Sequence, residues 1–356
     1  MPKIAFYAAL KSPNHPVASG ERTLARNLMK SLHRPGCEID LVSEFRPLDK
    51  VGNADRQAAF IAEAEVIANG LVAKGDWDAW VSYHSYYKAP DLLGPYVSKA
   101  LDIPYVSIEA TRASKRLGGP WDRFERKAAA ACDAADILFH FTDRDAVALR
   151  RELNDEQKLV SLPPFLARED LPAVANPVGP TILIAGMMRS GDKLKSYEIA
   201  ASALAHLKGD WRVEIAGDGA ARQEVEALME PFGGRVRFLG ALDPDGMHQA
   251  YRRSRVFLWP GVNEAFGMVY LEAQAVGVPV VAQDRPGVNE VVTPEGLCAA
   301  DDPEALAGAV SHLLNDNAYH STRALAAREH ISSRHLMGAA RQTLWDAIGP
   351  LISEAK

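Results

Sequence analysis

The feature that most constrains the fold is a strand–loop–helix–strand pattern between residues 256 and 282. Two short apolar runs, one ending at Pro260 and one beginning at Gly277, have the composition of buried strands. The same order of elements occurs over residues 3–45, where a strand, a glycine-bearing loop, a helix and a second strand follow one another. Such βαβ units predict parallel sheets covered by helices, and hence an α/β protein.

Two carboxylates, Glu264 and Glu272, flank the start of the helix in the first of these patterns. The helix is expected to begin near Phe266 or Gly267, where unpaired N–H groups and the positive end of the helix dipole favour an anion. Gly267 also allows close approach of a ligand to the backbone. A carboxylate accepts hydrogen bonds from two hydroxyls, so two glutamates around an anion site suit a nucleotide sugar. The alternative is a buried helix with one capping and one exposed glutamate.

The stretch from residue 263 to 273 resembles the E-x7-E signature of retaining family 4 glycosyltransferases, which have the GT-B fold. The resemblance covers most of the chain and is strongest over residues 235–292. It implies that Glu264 contacts the transferred sugar and Glu272 the ribose of the donor. The backbone amides of Phe266, Gly267 and Met268 are expected to fix the sugar.

A second glycine-bearing loop follows the apolar run at residues 181–186 and contains Arg189 and Lys193 before a predicted helix. A strand that is followed by a loop with cationic side chains and then by the N-terminus of a helix is typical of a phosphate-binding site. The segment is similar to the family's Gly-Arg…Lys-Gly element, whose cations bind the leaving diphosphate. It departs from that pattern because Arg189 does not directly follow the glycine and Lys193 follows an aspartate. Arg189 and Lys193 are assigned to the diphosphate, with Lys195 as the rival and surface charges capping a helix as the alternative.

In the first half of the chain, Gly20 lies at a loop–helix junction and His84 directly follows a predicted strand. Residues just past the carboxyl end of a strand face the ligand crevice of an open α/β sheet. The resemblance implies that the loop at Gly20 faces the donor across a cleft and that His84 contacts the transferred sugar. A plain helix cap and a histidine satisfied at the sheet edge are the alternatives. The basic loop at residues 110–121 is interpreted as an acceptor contact or as a solvated charge run.

The proline-rich stretch at residues 162–180 predicts a domain boundary. Residues 1–170 are expected to form a Rossmann-like acceptor domain, and residues 178–334 a Rossmann-like domain that binds the nucleotide-sugar donor. By resemblance, residues 335–356 form a helix that crosses back to the first domain.

The 356 residues carry a net charge of −6, which argues against a dedicated nucleic-acid binder. Three widely spaced cysteines suggest a reducing compartment, and no apolar stretch is long enough to span a membrane. The sequence therefore predicts a cytoplasmic protein. Peripheral contact with the inner membrane face stays open because lipid-linked acceptors are common in the family.

The resemblance implies an enzyme that moves a hexose from a nucleoside diphosphate sugar to a hydroxyl of a glycan or lipid-linked acceptor, with retention of configuration. No cofactor or metal is expected, because Asp243-Pro244-Asp245 is better explained as a helix cap than as a metal ligand set. A nucleotide-sugar epimerase and a non-catalytic sugar-nucleotide-binding subunit are the alternatives. The base, the sugar, the acceptor and the oligomeric state are left open.

Overall fold

The structure is a computed structural model that describes residues 1–17 and 19–354. Ala18, in the first predicted loop, and Ala355 and Lys356, at the end of the stretch predicted to cross back, lie outside the described residues. The chain divides into two compact units. The first comprises Met1–Pro163 and Met337–Lys356, and the second comprises Pro164–Leu336.

The first unit is built on a parallel sheet whose central strands are almost entirely buried. In the described part of this unit the strands are β1 (Lys3–Ala8), β2 (Glu38–Ser43), β3 (Ala79–Tyr83), β4 (Tyr105–Ile108), β5 (Ile137–His140) and β6 (Lys158–Ser161). Their order in the sheet is β2-β1-β3-β4-β5-β6. All residues of β3 are buried, as expected for a central strand with helices on both faces.

Five helices connect these strands, and their apolar faces cover the sheet. They are α1 (Gly20–Leu32), α2 (Ala54–Lys74), α3 (Gly94–Leu101), α4 (Asp122–Ala134) and α5 (Asp143–Arg151). Helix α1 shows why the local sequence folds in this way. The Ser19 side chain accepts a hydrogen bond from the N–H of Arg22 and caps the helix, while Ala25, Leu28 and Leu32 lie on its buried face.

The second unit repeats this architecture with its own sheet and core. Its described strands are β7 (Thr181–Ala185), β8 (Arg212–Ala216), β9 (Val236–Gly240), β10 (Val256–Leu258), β11 (Val280–Gln283) and β12 (Leu297–Cys298), in the order β12-β11-β10-β7-β8-β9. The helices are α6 (Asp192–His206), α7 (Arg222–Met229), α8 (Pro244–Arg253), α9 (Met268–Ala275), α10 (Pro303–Asn315) and α11 (Asn317–Arg334). All pairings between its strands are parallel.

The strand order of each sheet reverses direction once. In the first unit the chain moves from β1 outward to β2 and then returns to β3 on the other side of β1. In the second unit β7 lies between β8 and β10 in the same way. The loops that leave the carboxyl ends of these strands diverge at the reversal, which opens a crevice where ligands bind in open α/β sheets.

The last helix, α12 (Met337–Glu354), belongs to the first unit and packs on α1. The indole of Trp345 is buried and donates a hydrogen bond to the carbonyl oxygen of Leu32 at 3.1 Å. The guanidinium of Arg34 lies over the same ring, 3.5 Å from its centroid. Among the described residues, no helix is both long enough and apolar enough to cross a bilayer.

Four elements differ from the sequence-based expectation. The sequence analysis assigned no element to strand β6, whose residues are exposed or half-buried at a sheet edge and show no clear apolar run. Strand β12 has two residues, too few for a periodicity signal. Helix α11 is polar on most of its surface and was not predicted. The final helix begins at Met337 instead of residue 335.

Replacing Trp345 with alanine should destabilise the first unit by about 3–5 kcal/mol, the usual cost of deleting a buried aromatic side chain. Urea unfolding, combined with hydrogen exchange of the α1 amides, measures the change. Leu325→Ala is the control, because Leu325 is an exposed residue of α11 in the second unit. Equal stability of the two variants would contradict the packing described for Trp345.

Candidate functional site

The reversal point of the second unit brings Lys193 and Glu264 together. Lys193 lies in the first turn of α6, after β7, and Glu264 lies in the loop after β10. Their side chains form an ion pair, and the indole Nε1–H of Trp259 donates to the same Oε1 of Glu264 at 2.9 Å. The ammonium of Lys193 also lies 5.4 Å from the centroid of the Trp259 ring. The side chains are 20% and 12% exposed, so a ligand can reach a largely desolvated pair.

Contacts between the loop after β10 and the start of α6 hold this pair in place. The side-chain amide of Asn263 donates to Oδ2 of Asp192 at 2.9 Å. The backbone N–H of Val262 donates to Oγ of Ser196 at 3.0 Å, and this serine is fully buried. Asn263 has a left-handed backbone (φ 51°), a conformation that asparagine tolerates better than most residues.

Gly267 ends the same loop as the N-cap of α9, with φ 72°. A Cβ at this position would overlap the ring of Tyr270, so both the backbone conformation and the packing require glycine. Met268 is the first residue of α9 and the half-buried Phe266 precedes the cap. The first N–H groups of an α-helix have no intrahelical acceptor and can bind an anionic group.

Glu272 lies just over one turn into α9 and has a different partner from Glu264. The hydroxyl of Tyr251, on α8, donates to Oε2 of Glu272 at 2.9 Å. Burial raises the pKa of Glu272 above its usual value, although this hydrogen bond partly opposes the shift. One oxygen is thus engaged, and the carboxylate is held in a fixed orientation.

Arg189 lies in the loop between β7 and α6. Its carbonyl oxygen accepts a hydrogen bond from the N–H of Leu194 at 3.0 Å, which fixes the loop, while its side chain is exposed. Within residues 1–17 and 19–354, its guanidinium has no hydrogen-bond or ion-pair partner. Lys195 is exposed and pairs with Glu198 at 3.1 Å, on the surface of α6. Lys193, and not Lys195, therefore contacts the glutamate of the candidate site.

In the first unit, His84 lies between two carboxylates at the reversal point. It follows β3 and has φ 57°, and Glu109 follows the neighbouring strand β4 with φ 58°. The Nδ1 atom of His84 is 2.8 Å from Oε2 of Glu21 and 3.2 Å from Oε2 of Glu109. The hydroxyl of Tyr83 also donates to Glu21, at 3.0 Å. Left-handed backbone at two residues that are not glycine costs about 1–3 kcal/mol each and is characteristic of functional sites.

The charge of His84 follows from these neighbours. Burial alone would lower its pKa, but the charges and hydrogen bonds of Glu109 and Glu21 outweigh burial and raise the pKa of His84 to about 10. At neutral pH the side chain is therefore an imidazolium. Nδ1–H is bound to the carboxylates and Nε2–H is available as a donor.

Glu21, His84 and Glu109 are also the residues that could hold a metal, since their ligand atoms lie within 4.8 Å of one another. A metal-bound histidine must be neutral, so a cation there would have to displace the proton that both carboxylates stabilise. Gly20 begins α1 next to Glu21 and is exposed. A Cβ at Gly20 would meet no described heavy atom within 4 Å, so packing does not require glycine there.

Three residues of these clusters were missed by the sequence analysis. Trp259 ends the apolar run before Pro260 and was assigned only to a buried strand. Glu109 directly follows a strand, which is the signal that identified His84 and that applied to it equally. Glu21 follows Gly20 at the loop–helix junction. Its position in the segment after the first strand could have identified it as a candidate site residue.

A known protein family matches most of the second unit. Residues 179–316 match the family described as Glycosyl transferases group 1. The D-inositol 3-phosphate glycosyltransferase of Corynebacterium urealyticum is 36% identical over 133 residues, which cover 35% of this chain. This alignment spans 31% of the relative, so the chain matches about a third of its length.

Solved structures resemble the whole chain. Sucrose-phosphate synthase from Thermosynechococcus elongatus has a TM-score of 0.72 at 21% identity, with 99% of this chain and 100% of that chain covered. Anabaena HepE in complex with UDP has a TM-score of 0.70 at 16% identity, with 98% and 100% covered. The chain thus has the GT-B fold, as expected from the sequence, and its residues 179–316 match the Glycosyl transferases group 1 family.

His84 should stay protonated from pH 6.5 to beyond pH 8, because its pKa is raised from 6.5 to about 10. The stability that this charge contributes is complete below pH 6.5 and is lost as the pH rises through about 10. NMR titration of the histidine nitrogens measures the pKa directly. Glu109→Gln should lower the pKa of His84, whereas Glu65→Gln, at an exposed position of α2, should not. A midpoint near 6.5 in the wild type would show that the carboxylates do not control this histidine.

Proposed function

We propose that this protein is a glycosyltransferase that moves a hexose from a nucleoside diphosphate sugar to an acceptor hydroxyl with retention of configuration. The observation that carries the proposal is the Lys193–Glu264 pair at the reversal point of the second unit, beside the start of α9 and on the same sheet edge as Arg189. The Glycosyl transferases group 1 match over residues 179–316 supports it.

Arg189 and Lys193 are proposed to bind the diphosphate. Arg189 offers a guanidinium that can contact two phosphate oxygens at once, and Lys193 offers a compact charge. The carboxylate of Glu264 would repel an anion, but its pairing with Lys193 offsets that charge. The acidic group can therefore accept sugar hydroxyls beside the phosphates without excluding them.

Glu272 is proposed to bind the ribose. Tyr251 occupies one of its oxygens and orients the carboxylate, which leaves acceptor sites for the two ribose hydroxyls. The amides of Phe266, Gly267 and Met268 would bind the sugar or the adjacent phosphate at the start of α9. The complex of Anabaena HepE with UDP, a structure of the same fold, is consistent with a uridine nucleotide.

In the proposed reaction, the bond between the anomeric carbon and the diphosphate breaks and negative charge grows on the leaving phosphate. Arg189 and Lys193 stabilise this charge, which is the role that a metal ion has in other glycosyltransferases. The acceptor oxygen attacks from the face that the diphosphate leaves, and the departing phosphate takes its proton. His84, with Nε2–H as a fixed donor, is proposed to bind a hydroxyl of the transferred sugar.

The curated relative from Corynebacterium urealyticum acts, by its name, on D-inositol 3-phosphate. That name is consistent with a polyol acceptor for this chain. We also propose that the acceptor is a glycan or is linked to a lipid, in which case the protein contacts the membrane surface.

A thermal-shift screen with UDP, GDP and ADP sugars defines the donor for the assays below.

Arg189→Ala and Lys193→Ala should each lower turnover by roughly 10²–10³-fold, the typical loss for one group that stabilises developing charge. Release of free nucleoside diphosphate from the donor identified by the screen measures turnover, with water or a sugar as acceptor. Lys195→Ala is the matched control, since this lysine pairs on the surface of α6, and its turnover should stay within about twofold of the wild type. Equal losses at positions 193 and 195 would remove the proposed role of Lys193.

Glu272→Ala should weaken binding of the free nucleoside diphosphate by at least about tenfold, because two hydrogen bonds to a charged group are lost. Binding of inorganic pyrophosphate, which has no ribose, should not change. Isothermal titration calorimetry measures both affinities, and Glu198→Ala on the surface of α6 is the control. Loss of pyrophosphate binding in Glu272→Ala would assign the defect to the fold of α9 instead of the ribose.

A further inference from the structure

The loops after β3 and β4 bring together three aromatic rings. Tyr86 and Tyr87 lie after β3, and Trp121 lies at the end of the loop after β4. The rings form a continuous edge-to-face series, with centroids 5.5 Å apart between Tyr86 and Tyr87 and 5.6 Å apart between Tyr87 and Trp121. The indole N–H of Trp121 donates to the carbonyl oxygen of Asp49 at 3.0 Å and fixes the ring.

Two cations lie over these rings. The guanidinium carbon of Arg116 is 4.7 Å from the centroid of Tyr87 and 5.4 Å from that of Trp121. The ammonium of Lys88 is 5.5 and 5.8 Å from the same two centroids. Tyr86, Tyr87, Lys88, Arg116 and Trp121 are all half-buried, and together they form what we term the aromatic–basic surface.

The cations of the aromatic–basic surface have no acidic partner among the described residues. Arg116 donates to the hydroxyl of Tyr87 at 3.3 Å, and its Nε atom is buried without an acceptor there. Arg112, in the same loop, instead contacts Asp133 at 2.5 Å and Glu152 at 3.4 Å. Two cations close to the same rings repel each other, and an anion bound by both would offset that repulsion.

The aromatic–basic surface also lies beside the candidate site of the first unit. The ring of Tyr86 is 5.2 Å from that of His84, centroid to centroid. The surface is therefore continuous with the reversal point, where a ligand of this unit is expected to bind. A cation–π contact alone explains one cation on an aromatic ring. It does not explain two cations on the same rings with no acidic side chain beside them.

We propose that the aromatic–basic surface binds the acceptor, and that the acceptor is a polyol or sugar ring that carries a phosphate group. The apolar face of the ring packs on Tyr87 and Trp121, and the phosphate is bound by Arg116 and Lys88. The inference rests on the proposed function, because it defines the acceptor that a transferase requires. A free sugar phosphate and the phosphorylated headgroup of a lipid present the same chemistry.

The test compares glucose 6-phosphate with glucose by isothermal titration calorimetry on the full chain. The phosphate-bearing probe should bind at least about tenfold more tightly. Arg116→Gln and Lys88→Gln should each weaken its binding about tenfold or more. Lys115→Gln is the matched control, since it removes the same charge from an exposed neighbour in the same loop, and it should bind within about twofold of the wild type.

Vesicles distinguish the two sources of the phosphate. Phosphatidylcholine vesicles with and without phosphatidylinositol 4-phosphate are tested by cosedimentation. Binding that requires this headgroup and is lost in Arg116→Gln assigns a lipid-linked acceptor. Binding of glucose 6-phosphate without vesicle binding assigns a soluble one. Two results would overturn the inference. One is equal affinity for glucose and glucose 6-phosphate together with no headgroup-dependent vesicle binding. The other is an equal effect of the substitutions at positions 115 and 116.

The result separates this inference from the proposed function. Donor binding and release of nucleoside diphosphate by the wild type are measured without a phosphorylated acceptor. If both occur while the surface shows no preference for phosphate, only the acceptor assignment fails. If the wild type neither binds nor cleaves any nucleotide sugar, the proposed function fails, whatever the surface binds.

Discussion

The parallel pairing of β7 with both β8 and β10 is the constraint on which the candidate donor site depends. Because the chain leaves β7 on one side and returns on the other, the loops after β7 and β10 start side by side and then diverge. That arrangement places the first turn of α6 opposite the loop before α9. Lys193 and Glu264, which are 71 residues apart in sequence, meet there. The pairing of β1 with β2 and β3 has the same effect for Glu21 and His84 in the first unit.

The two clusters use charge in opposite ways. In the second unit a cation, Lys193, compensates an acid, Glu264. In the first unit two acids compensate a histidine, which becomes a permanent hydrogen-bond donor. Both are partly shielded from water, where such interactions are stronger than on the surface. Lys193, Glu264 and His84 are each paired with a residue from another strand, helix or loop.

Much of the fold followed from local sequence, and much of the site did not. The sequence predicted strands β7, β10 and β11 from their apolar runs, and it predicted the helix start at Gly267. Burial and backbone geometry leave a local signal in the sequence at these places. The loop position of Glu264 and the helical position of Glu272 were predicted in the same way. The pairing of Glu264 with Lys193, and the carboxylates around His84, depend on strand order, which no local pattern encodes. Polar or very short elements such as α11 and β12 also left no periodicity.

The return of α12 to the first unit has a consequence for how the chain is made. Residues 337–354 cover α1, so the amino-terminal unit lacks part of its core until these residues have been synthesised. The second unit is continuous in sequence from Pro164 to Leu336, whereas the first unit needs two separate stretches of chain. A chain that stops before residue 337 would therefore leave the apolar face of α1 without its cover.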